Sequence, residues 1–385
     1  MTQASLRKLP QRPADGHKGT FGTVLVIGGS CAGEERMLGA PVLAARSALR
    51  SGAGLARTML PQPMALAALS CLPSMTALAM PVDGRGELIA HECVAMLDAA
   101  IASADAIVIG PGLGNHASIE PLVLRALQQS RVPVVVDADA LNALTRIPDL
   151  SRDLKASCVL TPHPGEFRRL ADALNLDADP IDPARRAAAA EALAQRLGCI
   201  VALKGAGTVV TNGHDTWTCA SGHPCLATGG TGDVLAGLLG GLLAQWRAQS
   251  QHTTFTPRRA TQLGGTSGTP SQHRTQHAST PSSPTHADEP HLERVMSTSE
   301  LMALAAQRLG KRAPQTETSS ADTAASTSSH TSPNAPLTML EVAILAVEAH
   351  ARAGERWSKQ HGARAGLLAE ELADTLPGAL ETLRA

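Results

Sequence analysis

Short runs of Val and Ile recur along this chain, and most are followed by an Ala- and Leu-rich stretch of helical length. No other feature constrains the fold as much. The runs are Thr23–Ile27, Ala106–Ile109, Val132–Val136, Cys158–Thr161, Ile200–Leu203 and Thr208–Thr211, and the segments between them include Pro41–Ser51, Ile119–Gln129 and Pro183–Leu197. Apolar runs separated by helix-length segments are the pattern of βαβ units in a mainly parallel sheet covered by helices, an α/β protein. Thr208–Thr211 and Asp215–Cys219 are separated only by Asn212-Gly213-His214, which predicts a hairpin with an Asn-Gly turn.

Composition narrows the reading. Hydrophobic residues make up 43% of the 385 residues but aromatics only 2%, with no Tyr, so the core has to be built from Ala, Leu, Val and Ile. The formal net charge is -1 and no basic stripe occurs, which speaks against a nucleic-acid partner. The seven Cys are odd in number and scattered without a CxxC pair, which speaks against a disulfide framework or a zinc site and for reduced thiols in a cytoplasmic protein. Met1–Lys18 contains no apolar stretch of signal-peptide type. No run is long and apolar enough to span a bilayer, so a soluble chain without a membrane partner is expected.

Residues 1–20 read as an irregular lead-in. Residues 250–336 are rich in Ser, Thr, His, Gln and Pro and cannot bury enough apolar area to offset their ordering entropy, so they are predicted to be a mostly disordered insertion. Ser297 with Glu300 before Leu301, Leu304, Ala305 and Leu309 predicts one short helix inside it. Leu340, Ile344, Val347 and Ala351 then return at helical spacing. The insertion therefore interrupts a single domain made of residues 21–249 and 337–385.

Six stretches carry candidate chemistry. In Thr228-Gly229-Gly230-Thr231-Gly232-Asp233, three glycines lead into a helix predicted over Val234–Trp246. Backbone N–H groups at a helix start favour a phosphate or a developing anion, and Asp233 in the first turn can take a proton from an attacking hydroxyl. The bland alternative is a plain loop with an N-terminal Asp cap. In Thr161-Pro162-His163-Pro164-Gly165-Glu166, at the carboxyl edge of a strand, Glu166 can hold magnesium through water and His163 can contact a polar substrate. Pro164 and Glu166 also fit an ordinary N1 and N3 pair. Asp137, Asp139 and Asn142 gather after another buried run, either as helix caps or as part of a magnesium and substrate pocket. Lys204-Gly205-Ala206-Gly207-Thr208 ends a strand with an ammonium suited to a nucleotide phosphate, or is a hairpin-like turn with an exposed Lys. Gly110-Pro111-Gly112-Leu113-Gly114 and Gly28-Gly29-Ser30 permit close backbone approach, or are turns only. Neither a GxGxxG nor a P-loop spacing occurs. His350, among Ala neighbours on what reads as the last helix, is assigned a structural role.

Taken in order, HKGTFGTVLVIGGS, GAPVLAARSALRSGAGL, GPGLG, VVDADALN, TPHPGE, LKGAGTVV and ATGGTGDVLAGLLGGLLAQ resemble the carbohydrate-kinase-type branch of the ribokinase-like superfamily, and within it the NAD(P)H-hydrate dehydratases. The resemblance covers residues 15–247 and resumes over 338–376, where AVEAHARAGE and ARAGLLAEELADTLP are similar to the family's closing helices. It implies a ribokinase-like three-layer sandwich with helices on both faces of a mainly parallel central sheet. It also implies ADP-dependent dehydration of the S-form hydrates NADHX and NADPHX, by phosphorylation of the ring hydroxyl and loss of phosphate, with Mg2+ as cofactor and ADP (ATP in eukaryotic members) as co-substrate. By the family pattern Asp233 is the base and lies beside the hydrate. Gly230 and Gly232 form the anion hole, and Lys204, Gly205, Ala206, Gly207, Thr208 and Gly232 hold the nucleotide. Ala40, Gly114 and His163 line the hydrate pocket. A homo-oligomer, commonly a tetramer, is implied as well.

Where members read close to GNPG, this chain has Gly222-His223-Pro224-Cys225, a departure that bears on nucleotide affinity. Many relatives carry an N-terminal epimerase domain; with about 20 residues before the first strand, that activity is expected to be absent here. Two other functions fit the same residues: an ATP-dependent kinase of a small alcohol such as a sugar or hydroxymethyl-pyrimidine, and a non-catalytic nucleotide-binding scaffold.

Overall fold

A strand buried on both faces needs an apolar side chain at every position, because successive residues point to opposite sides. The computed structural model, which describes residues 6–253 and 335–384, places the Val and Ile runs in such strands. They are Thr23–Ile27 (β1), Leu55–Pro61 (β2), Thr76–Met80 (β3), Ala106–Ile109 (β4), Val134–Val136 (β5), Cys158–Leu160 (β6), Ile200–Leu203 (β7), Val209–Thr211 (β8) and Thr216–Thr218 (β9). The sheet order is β3-β2-β1-β4-β5-β6-β7-β8-β9. Pairing is parallel from β3 through β7, and β8 and β9 add to the edge antiparallel.

The helices are Gly39–Arg50 (α1), Ala65–Cys71 (α2), Ala90–Ile101 (α3), Glu120–Gln128 (α4), Asp139–Leu144 (α5), Leu150–Asp153 (α6), Pro164–Ala173 (α7), Arg186–Leu197 (α8), Thr231–Thr253 (α9), Met339–His361 (α10) and Ala369–Arg384 (α11). Two cores separate on the parity of the strands. Val24, Val26, Val108, Val135 and Val159 face α1, α9, α10 and α11. Leu25, Ile27, Ile107, Ile109, Val136 and Leu160 face α3, α4, α5, α7 and α8. The result is a three-layer sandwich. Close approach in the first layer uses small residues: a Cβ on Gly237 of α9 would lie 2.0 Å from the Ala44 carbonyl oxygen of α1. Among the described residues, no helix is long and apolar enough to cross a membrane.

Several elements differ from the sequence expectation. β2, β3, α2 and α3 were not anticipated. β2 (LARTMLP) interrupts its apolar run with Arg57 and Thr58, and β3 (TALAM) is an Ala-containing edge strand with a single buried residue. The strand expected from Val132 begins only at Val134, after Pro133, because Pro has no N–H to give to the ladder. α9 starts at Thr231, not Val234, and runs to Thr253. The Asn-Gly hairpin forms as expected: Asn212 Oδ1 accepts from the N–H groups of His214 and Asp215 (2.9 and 2.8 Å), and Gly213 has φ +90.

Residues 250–253 of the predicted insertion continue α9, while residues 254–334, with the predicted short helix, lie outside the described residues. Trp246 Nε1 near the end of α9 donates to the Leu337 carbonyl (2.7 Å), and Thr338 caps α10 in a capping box with Glu341. The lead-in braces the same region. Leu9 is buried and its N–H donates to the Leu383 carbonyl (2.8 Å), and Arg12 donates to the Gly52 carbonyl and Gln245 Oε1 (2.7 and 3.1 Å). Because these contacts are all made by described residues, replacing residues 254–334 by a short Gly/Ser linker is expected to leave soluble protein with an undiminished melting temperature. A fall of the melting temperature by more than about 5 °C, or insoluble protein, would show that the stretch supports the fold.

A candidate active site at the carboxyl ends of the strands

In a parallel sheet all strand carboxyl ends open on one edge, and the loops there can converge. Asp137 follows β5 and is buried at 2% exposure. Thr161 Oγ1, just after β6, donates to Asp137 Oδ1 (2.6 Å), and Lys204 Nζ, just after β7, donates to the same oxygen (2.7 Å). Lys204 Nζ also stands 3.6 Å from Glu166 Oε2 in the first turn of α7. Burial disfavours the ammonium of Lys204, but Asp137 and Glu166 outweigh it and raise its pKa. Burial also raises the Glu166 carboxyl, with Lys204 opposing the shift.

The backbone here is bent to suit the cluster. Ala138, between Asp137 and Asp139, has φ +50 and ψ -120, a costly conformation for a residue with a Cβ and one that concentrates at functional sites. Gly110 has φ +124, and a Cβ there would lie 1.7 Å from the Asp137 carbonyl oxygen. Gly110→Ala is therefore expected to cost about 3 kcal/mol or more, read as a lowered urea midpoint with unchanged slope. A midpoint equal to wild type would remove the close approach from the account.

Asp139 is not a helix cap. α5 begins with Ala138 as N-cap and no side-chain cap bond, while Asp139 Oδ2 accepts the Gly114 N–H (2.8 Å). Burial raises its pKa, and the Gly114 bond partly offsets the shift. Glu166 does serve as the N3 partner of a capping box: Glu166 Oε2 accepts from His163 N (2.7 Å), while His163 Nδ1 accepts from Gly165 N and Glu166 N. The capping and charge-cluster readings of Glu166 thus hold together. Lys204 does precede a β7–β8 hairpin, but its side chain is turned into the acidic cluster at 19% exposure.

α9 points its N-terminus at this cluster. Gly230 has φ +87, and a Cβ there would meet Ala369 Cβ at 2.8 Å; a Cβ on Gly232 would lie 3.6 Å from Lys204 Nζ. Asp233 sits in the first turn. Burial, then the neighbouring charge of Asp137, raises its pKa against the pull of Lys204, to about 7. Ala40, at the start of α1, borders the loop of Gly112 and Gly114: a Cβ on Gly112 would lie 3.4 Å from Ala40 Cβ. His163 stays half exposed. Ala40, Gly114, His163 and Asp233 therefore lie around the same edge. Among the described residues, no three His, Cys, Asp or Glu side chains are grouped closely enough to hold a metal ion by themselves.

Next to Lys204 and Gly232 opens a cavity of about 650 Å3, lined by residues 204–208 and 219–224, by Leu226 and Ala227, and by Val347, His350 and Ala351 of α10. The departure at Gly222-His223-Pro224-Cys225 borders it. His223 Nδ1 accepts from Cys225 N (3.3 Å) and Nε2 meets Ser358 Oγ (3.1 Å), so the imidazole caps the short helical turn Pro224–Leu226. Cys225 is not among the residues with positive φ and buries its thiol against the Gly354 carbonyl (3.4 Å). The local backbone therefore needs no glycine there. Sequence reasoning missed two carboxylates of α10 that hold this loop. Glu355 Oε1 accepts from Gly222 N (2.7 Å), and Glu348 Oε1 accepts from Ser221 Oγ and Arg352 Nε (2.9 and 2.6 Å). On an amphipathic helix they look like solvent-facing charges, and only the fold brings them to the loop. His350 lies on α10, which is followed by α11 and so is not the last helix.

Residues 24–269 match the family model described as NAD(P)H-hydrate dehydratase. The chain belongs to the NAD(P)H-hydrate dehydratase family. Among curated dehydratase relatives, it is 36% identical over 249 residues to the ADP-dependent (S)-NAD(P)H-hydrate dehydratase of Xanthomonas campestris, covering 64% of this chain and 80% of that one. It is 38% identical over 247 residues to the bifunctional NAD(P)H-hydrate repair enzyme of Salinibacter ruber, covering 63% of this chain and 44% of that one. The chain thus spans less than half the length of the bifunctional relatives it matches. Among solved structures, the ADP/ATP-dependent NAD(P)H-hydrate dehydratase of Bacillus subtilis, co-crystallized with ATP/Mg2+, superposes with a TM-score of 0.58 at 25% identity, covering 98% of this chain and 95% of that one. A ribokinase-like superfamily protein of Enterococcus faecalis superposes with a TM-score of 0.59 at 19% identity, covering 98% and 92%. This dehydratase-family domain has the ribokinase-like fold.

Proposed function

We propose that this protein is an ADP-dependent dehydratase of the S-form hydrates NADHX and NADPHX, returning them to NADH and NADPH. The observation that carries the reading is Asp233: a half-buried carboxyl in the first turn of a helix, held near neutrality at about 7, beside the half-buried Lys204 and a cavity of about 650 Å3. A carboxyl of that pKa is half ionised at neutral pH and can accept a proton.

Asp233 takes the proton of the ring hydroxyl as its oxygen attacks the terminal phosphorus of the nucleotide. The new O–P bond forms while the bridging P–O bond breaks. The N–H groups at Gly230 and Gly232 receive the negative charge that develops on the phosphoryl oxygens. Lys204 to Thr208, with Gly232, hold the nucleotide in the cavity, which has the volume of a small-molecule site. The phosphorylated ring then loses a proton from the adjacent carbon and expels phosphate, restoring the double bond. Ala40, Gly114 and His163 line the hydrate's pocket.

Glu166 would hold a magnesium ion through water beside the nucleotide, and the ion would neutralise phosphate charge. A cytoplasmic location and a homotetrameric assembly belong to the same reading.

The test is the return of reduced-nicotinamide absorbance when purified protein meets chemically hydrated NADH with magnesium and either ADP or ATP. Recovery with ADP is expected. Failure with both nucleotides would overturn the reading and favour a small-alcohol kinase or a non-catalytic nucleotide-binding scaffold.

A further inference from the structure

His350 approaches the carbonyl oxygen of Thr231 through Nε2, at 2.9 Å. A carbonyl can only accept, so Nε2 carries the hydrogen and the ring is fixed in that tautomer. Thr231 lies between Gly230 and Gly232, in the turn that begins α9. Its carbonyl and the Gly232 N–H belong to one planar trans peptide unit, in which C=O and N–H point in opposite directions. A bond that fixes the carbonyl therefore also fixes the direction of the Gly232 N–H. Hydrogen bonds to a carbonyl also polarise its peptide and strengthen the N–H as a donor.

The turn is also tied by its backbone, where Val234 N–H donates to the Gly230 carbonyl (3.1 Å), and by Thr231 Oγ1, which reaches the carbonyls of Leu226 and Thr228 (both 3.0 Å). As the first residue of α9, Thr231 has its peptide oriented by the helix, and His350 adds a second anchor to it from α10. Gly230, at φ +87, and Gly232 contribute no side chain to the turn, so that anchor is made on the backbone itself. The imidazole is kept neutral: burial lowers its pKa to about 4, and the positive charge of Lys204 acts in the same direction. It therefore adds no charge of its own beside the phosphates.

We infer that His350 is a positioning residue of the phosphoryl-binding turn, acting through the Thr231–Gly232 peptide. The inference rests on the dehydratase reading for its kinetic consequence, but not for its effect on nucleotide binding.

His350→Leu removes the donor and keeps an apolar body of similar reach. His350→Gln offers an amide N–H near the place of Nε2. His350→Leu is expected to lower kcat by about thirtyfold with little change in the KM for the hydrate, less than removing an anion-hole donor outright. It should weaken ADP binding about fivefold in calorimetry while leaving adenosine binding unchanged. His350→Gln should recover most of both losses. Equal loss in the two variants, equal weakening of ADP and adenosine, or unchanged kcat and ADP affinity in His350→Leu would each overturn the positioning role. If wild-type protein turns over no hydrate, the dehydratase reading fails alone. The comparison of ADP with adenosine still decides the inference about His350.

Discussion

Asp233→Asn is expected to lower turnover by about a thousandfold, while ADP binding is kept or slightly tightened. The amide preserves the shape of the carboxylate but cannot take a proton from the attacking hydroxyl. The same residue predicts the pH profile of the wild type. With a pKa of about 7, kcat/KM for the hydrate should fall tenfold per pH unit below about 7 and level off above it. A profile flat between pH 5.5 and 8 would remove Asp233 as the base. A stability readout comes from the same carboxyl and needs no substrate. Its folded-state pKa lies above the ordinary carboxylate value, so its protonated form favours folding, fully so below about pH 4. That contribution is lost as the pH rises through about 7. Asp233→Asn should thus match wild type in melting temperature near pH 4 and exceed it at pH 8. A variant less stable than wild type at pH 8 would contradict the burial that sets this pKa.

Lys204→Met is expected to show the largest loss of stability. Lys204 is the cation that compensates Asp137 and Glu166, with side chains at 2% and 6% exposure. Removing one partner of a buried ion pair costs about 3–5 kcal/mol, because the other charge is left uncompensated. In a domain of this size that is a fall in melting temperature on the order of 10 °C. The double variant Lys204→Met with Asp137→Asn should regain part of it, since the orphaned charge is removed too. If the single variant melts with wild type, the ion pair is not the brace of this edge. If the double variant is additive, the two residues are not coupled.

Much of the site was legible because its chemistry is written in backbone-dependent residues. The glycines around Thr231 and those of residues 110–114 mark turns only Gly makes easily, and they fall after apolar runs where a parallel sheet opens. Asp233, Lys204 and Glu166 followed from those turns, and the structure brings them to one edge. Partner identity was not legible. The bland reading of Asp137 and Asp139 as helix caps failed because the positive φ of Ala138 turns Asp137 toward Lys204 and Asp139 toward Gly114. No residue pattern announces that. His350, Glu348 and Glu355 sit more than a hundred residues after the loops they hold, so local spacing carries no trace of the contact. β2 and β3 went unseen for the opposite reason: their position at the end of the sheet relaxes the demand for continuous apolar sequence, which is the only signal available for a buried strand.

α9 has 23 residues and so measures about 34 Å. Its first turn carries Asp233, and Trp246, two turns before its end, holds the Leu337 carbonyl. The helix thus sets Asp233 and Thr253 about 30 Å apart along its axis. A fluorescent reporter or affinity handle fused directly after Thr253 would therefore be attached about 30 Å from Asp233, and ADP affinity is expected to be insensitive to the length of such a graft.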